Sequence, residues 1–211
     1  MSSLATLLTL ADSRLPTGGH VHSGGVEEAV TSGLLTDLVT LRAYLVRRIR
    51  TSGMVAASVA VAVHTGDLDP AAADAETDAR TPAPAARDAS RAQGRGLVRL
   101  ARRVWPQQPW DTLGPRPHLP VAAGAVGAAA KLDPGQTALS VVYTTMTGSA
   151  TAAQRLLALD PADVAALTFE LSELCDAVAA ESIAGLADLS DPLLDVLAQR
   201  HAERDRPLFV S

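Results

Sequence analysis

Apolar residues recur along this chain at spacings of three and four for most of its length, broken by short runs that carry Pro, Gly and Asp. That period lines one face of a helix with apolar side chains. It predicts nine helices, near 3–11, 23–32, 37–50, 53–64, 85–104, 118–131, 135–157, 161–187 and 192–204. Asp-Pro occurs at 69–70, 133–134, 160–161 and 191–192, and the last three each precede a helical run. Asp is a favoured N-cap, Pro is pre-organised for the first helical position, and a residue before Pro is held extended as an N-cap must be. Leu139 to Thr147, LSVVYTTMT, is β-branched enough to favour a strand by itself. A lone strand would leave its backbone groups unpaired, so this stretch too is read as helix. The pattern describes an all-α, single-domain multi-helix bundle with no sheet.

Two interruptions are longer than turns. Gly66 to Pro84 is rich in Ala, Asp, Pro and Thr with almost no large apolar residue, which predicts a mobile loop at 66–84. Trp105 to Pro120 holds five prolines and reads as an ordered connector pinned by Trp105 and Trp110. At 211 residues the chain can bury a sizeable core, and with 47% hydrophobic but only 3% aromatic residues that core is built of Ala, Val and Leu. Such side chains suit closely spaced helices.

Composition removes several functions. A single cysteine, Cys175, excludes an internal disulfide and a multi-cysteine zinc site. It lies on an apolar stripe and reads as an inert core residue. No charged-then-apolar leader opens the chain, so a cytoplasmic location is expected. The longest apolar stretch, Met54 to Val63, is about half of a membrane span. A net charge of −5 opposes nucleic-acid binding. Against that balance, Arg87, Arg91, Arg95, Arg99 and Arg102/Arg103 recur at helical spacing. They form a guanidinium stripe suited to carboxylates, either a solvated face or a surface for an acidic partner.

The densest local signal is Asp12 to Val30, DSRLPTGGHVHSGGVEEAV. Pro16, Gly18 and Gly19 predict a turn, and Ser23 is placed to cap a helix carrying Val26, Glu27, Glu28 and Val30. The Lys and Ser/Thr of a phosphate loop are missing, as is the Gly-x-Ser-x-Gly of a nucleophile elbow. His20 and His22 could chelate a metal given a third ligand, but His64, His118 and His201 are scattered. No cofactor motif is present. Gln154 and Arg155 sit where a small-residue helix meets Leu156 and Leu157, and either tie helix ends together or face a partner. The terminal RDRPLFVS carries Leu208, Phe209 and Val210, which must bury against the chain's own core or a partner groove.

Leu15-Pro16-x-Gly18-Gly19-x-x-x-Ser23-x-Gly25-Val26-Glu27 resembles the LP-x-GG-x-x-x-S-x-GLE signature of the urease accessory protein UreF family. Three further stretches fit in the same order. Arg87-x-x-Ser90 with Gly94-Arg95-x-Leu97 resembles the family's middle helix, Ala150 to Leu157 its QT-x-x-QRLL segment, and Leu208-Phe209-x-Ser211 its LFRS terminus. The chain departs at His20 and His22, which replace aromatics, at Ala150, which replaces glutamine, and at Pro207 and Val210, which replace arginines. The resemblance implies a helical fold and no enzymatic activity of its own. It also implies a homodimer that bridges UreD (also called UreH) to the GTPase UreG during nickel insertion into urease apoprotein. The partner-contact residues expected are Gly18, Gly19, Ser23, Gly25, Glu27, Arg91, Arg95, Gln154, Arg155, Leu208 and Phe209, with the tail at 205–211 docking into UreD. A rival reading is a helical enzyme that uses the glycine loop and His20/His22 to bind a phosphate or metal-bound substrate.

Overall fold

A computed structural model describes residues 4–12, 14–17, 22–188, 191–204 and 208–209. Gly18, Gly19 and His20, named above for the loop, lie outside them, as do Pro207 and Val210. The described residues form eleven α-helices and no strand: α1 Leu4–Leu10, α2 Val26–Thr31, α3 Leu38–Arg48, α4 Met54–Thr65, α5 Pro70–Ala79, α6 Pro84–Val104, α7 Leu119–Ala129, α8 Pro134–Leu157, α9 Pro161–Glu170, α10 Ser172–Glu181 and α11 Pro192–Ala202. The β-branched run 139–147 lies inside α8, as the helical reading required.

All four Asp-Pro pairs open helices. Asp69, Asp133, Asp160 and Asp191 each accept a hydrogen bond from a first-turn backbone N–H, and Asp133 completes a reciprocal capping box with Gln136. The first pair corrects the expectation of a mobile loop at 66–84. That segment carries α5, which needs few large side chains because Ala73 and Thr77, one turn apart, are the residues it buries. Two boundaries also differ. A π-helical segment, Ile49–Gly53, joins α3 to α4, which were expected as separate helices, and Leu171 breaks 161–187 into α9 and α10. Helix α2 begins at Val26 rather than at residue 23.

Helix α8 runs through the middle and buries Val141, Val142, Met146, Ala150 and Ala153 among α2, α3, α4, α9, α10 and α11. A second cluster joins Val59 of α4, Leu97, Val98 and Ala101 of α6, and Val121, Ala122 and Val126 of α7 to Trp110. Ala123 packs against both clusters. Small residues set the spacing as expected: a methyl at Gly124 of α7 would lie 2.3 Å from the Ala60 carbonyl of α4. Trp110 holds the proline-rich connector by burying its ring and donating from Nε1 to the Trp105 carbonyl at 2.8 Å. Cys175 is buried beside Met146, and burial pushes its thiol up to about 11, so it stays protonated and inert. No helix among the described residues is long and apolar enough to cross a membrane.

Candidate functional site

The glycine loop ends in two left-handed residues, Gly24 at φ 62° and Gly25 at φ 88°. Tyr44 Oη and Arg48 Nη1 both donate to the Gly24 carbonyl, at 2.8 and 2.9 Å, fixing the turn against α3. A side chain at Gly25 would be strained by its φ and crowded by Tyr44 Oη and Leu197 Cβ at 3.2 and 3.3 Å. Gly25 itself occupies the N-cap position, which corrects the placement of Ser23 there. Ser23 is buried two residues earlier, and its Oγ still accepts from the first-turn N–H of Glu27 at 3.4 Å.

Turning the chain at Gly24 and Gly25 points Glu27 inward, where it is 4% exposed. Its carboxylate spans the gap to the end of the chain. Oε1 accepts from the Leu208 backbone N–H at 2.8 Å, and Oε2 accepts from the Phe209 N–H at 2.9 Å and from His201 Nε2 at 2.7 Å. Burial pushes the Glu27 pKa up, but the Leu208, His201 and Phe209 donors outweigh it and hold the group below its ordinary value. An ionised carboxylate is an acceptor only, so the imidazole proton sits on Nε2. Beside this junction Glu28 pairs with Arg204 at 2.9 Å.

Phe209 folds into the main core at 8% exposure, and the Arg155 guanidinium lies 5.4 Å from its ring centroid. The expectation that the whole tail projects toward a partner is therefore corrected. Phe209 belongs to this chain's own interior because Glu27 satisfies the two backbone N–H groups that would otherwise resist burial. Leu208 faces out at 80% exposure. Arg155 is exposed and meets the tail, and the half-buried Gln154 closes α8 by accepting the Ala158 N–H on its carbonyl. Thus Ser23, Gly25, Glu27, Arg155, Leu208 and Phe209 come together, while Arg91 and Arg95 lie elsewhere. His201, Tyr44, Arg48 and Arg204 were not singled out from sequence. The available signal was His201 falling one turn after Leu197 on the buried face of α11.

A second polar network ties α5, α6 and the start of α7. His118 is fully buried, with Nε2 2.8 Å from Asp78 and Nδ1 3.0 Å from Ser90 Oγ; the backbone N–H groups of His118 and Leu119 donate to Asp74 and Ser90. Arg91 Nη2 lies 2.8 Å from both carboxylates, so this arginine is engaged within the chain and does not stand on a partner-facing ridge as expected. Burial lowers the His118 pKa and the Arg91 charge adds to this, against the opposing pull of Asp78 and Asp74, leaving a neutral ring. Asp74, Asp78 and His118 are the one group among the described residues with three potential metal-ligating atoms in reach of one another. The Arg91 guanidinium already supplies the positive charge there. His22, half-buried, belongs to no such group among the described residues.

Among the described residues the fold defines an all-α protein whose polar clusters join its own elements. Comparison with known proteins gives the class its particulars. The UreF family profile matches residues 35–172. The chain is 78% identical over 211 residues to the urease accessory protein UreF of Mycobacterium sp. (strain JLS), and 72% identical over 211 residues to that of Mycobacterium marinum, covering 100% of each chain. It is 70% identical over its full length to the urease accessory protein UreF of Mycobacterium tuberculosis (strain CDC 1551 / Oshkosh). The chain belongs to the UreF family of urease accessory proteins.

Proposed function

We propose that this protein is a non-catalytic maturation factor that bridges UreD (UreH) and the GTPase UreG, as a homodimer in the cytoplasm, so that GTP hydrolysis is coupled to nickel insertion into urease apoprotein. The observation that carries this reading is the Glu27 junction. It joins the glycine-loop motif, the Arg155-bearing end of α8 and the terminal Leu-Phe pair in one place, and leaves Leu208 exposed at that place. A surface assembled from three distant segments presents a fixed shape to a partner and lowers the ordering cost of binding.

The test is urease activation in cells that lack this protein but carry the other accessory genes, with pull-down of tagged protein from the same cells. Wild type restores active, nickel-loaded urease and retains UreD and UreG. Urease that activates fully without the protein, or retention of neither partner, would refute the bridging role. The enzyme reading based on His20 and His22 gains no support from the described residues.

A further inference from the structure

The arginines of α6 fall into two sets that sequence spacing alone does not separate. Arg87, Arg91 and Arg102 are engaged internally: Arg87 and Arg91 reach Asp78, Arg91 also reaches Asp74, and Arg102 meets Asp111 at 2.6 Å. Arg95, Arg99 and Arg103 are exposed and have no ion pair among the described residues. They stand four residues apart, so Arg95 repels Arg99 and Arg99 repels Arg103 across successive turns. Proximity to the helix C-terminus favours Arg103, but Arg95 lies more than two turns before it. Like charges kept unneutralised in a chain of net charge −5 weaken this helix unless something outside the chain answers them.

The helix beneath them is held firmly. Built methyls at Gly94 and Gly96 would lie 2.1 Å from the Pro117 carbonyl and 2.3 Å from the Thr17 carbonyl, so two backbone segments press against α6 on either side of Arg95. One of them is the start of the glycine loop. We infer that Arg95, Arg99 and Arg103, together with this edge of the loop, form a docking face for an acidic protein segment, an inference that rests on the scaffold reading above. Over about 12 Å of helix the three guanidinium groups match carboxylates spaced about one turn apart, and their planar forks suit bidentate pairing. A polyphosphate strand is the poorer match because the molecule's overall charge repels it.

The probe is a labelled helical peptide with Glu at positions i, i+4 and i+8, compared with a single-stranded DNA 20-mer, against wild type and the R95A/R99A/R103A variant. At low ionic strength the variant is expected to bind the peptide roughly tenfold more weakly, and the wild-type affinity to fall as salt rises. Helicity should be retained and thermal stability unchanged or higher, since repulsion is removed and Ala favours helix. Equal peptide affinity in the two proteins, or tighter binding of the DNA than of the peptide, would overturn the inference. Capture of UreD and UreG equally by wild type and variant would overturn it too, while leaving the scaffold reading intact. Capture of neither by wild type would end the scaffold reading, and the peptide comparison alone would then decide the arginine face.

Discussion

Glu27 is the one buried carboxylate among the described residues, and it ties α2 to α11 and to the tail. Its neighbour Glu28 has the same chemistry and sits in the same first turn, yet serves only the more open pair with Arg204. The difference is direction: two left-handed glycines turn α2 so that Glu27 points at the chain terminus. Glu27→Gln keeps the shape but turns one acceptor into a donor, which would face a backbone N–H or His201. We expect a loss of about 3 kcal/mol, the scale for breaking a buried, charge-assisted cluster, read as a lower melting temperature with faster hydrogen exchange at Leu208 and Phe209. The pH dependence has a definite sign. Glu27 is held below its ordinary value of 4.5, so its stabilisation is fully present above that value and is lost as pH falls through the lowered folded one. Thermal melts between neutral pH and pH 3 should show a smaller acid-induced drop for Glu27→Gln than for wild type.

At the scale of elements, glycines separate helix propensity from packing. Replacing a mid-helix Gly by Ala ordinarily stabilises by up to about 1 kcal/mol, and Gly148 of α8, with nothing near a built methyl, should follow that rule. Gly94→Ala should reverse the sign and cost about 1–3 kcal/mol, because the obstructing atoms are the backbone of residues 117 and 118 rather than a side chain that can swing away. Paired thermal melts of the two variants check this, and a stabilised Gly94→Ala would mean the segments are not in contact. The elements themselves were largely legible in sequence, since Asp-Pro caps and the three-four apolar spacing are local properties. Helix α5 was missed because loop was inferred from the lack of large apolar residues, when two small buried ones suffice; Asp69-Pro70 was the signal to follow. The sites were less legible. Arg91 and Arg95 look alike one turn apart, and only the fold brings Asp74 and Asp78 to one of them.

For the whole molecule the decisive question is what the terminal Leu-Phe pair does, since its two residues face opposite ways. Phe209 is buried with its N–H on Glu27 and its ring beneath Arg155, whereas Leu208, fixed by the same carboxylate, is 80% exposed. Both backbone N–H groups are fixed on the one carboxylate, so holding Phe209 inside also determines where Leu208 stands outside. Removing the tail therefore mixes two effects, lost core packing and lost contact, and single substitutions separate them. Phe209→Ala should cost about 3 kcal/mol, corresponding to a fall in melting temperature of about 6–12 °C for a chain of this size. Leu208→Asp should leave melting within the scatter of a surface change, because no buried contact is lost, yet weaken retention of UreD in pull-downs about tenfold by placing a charge where an apolar contact is proposed. Were Leu208→Asp to retain UreD as well as wild type does, the tail would be a clasp that closes this protein's own core, and the partner surface would have to be sought on the loop or along the exposed arginines of α6.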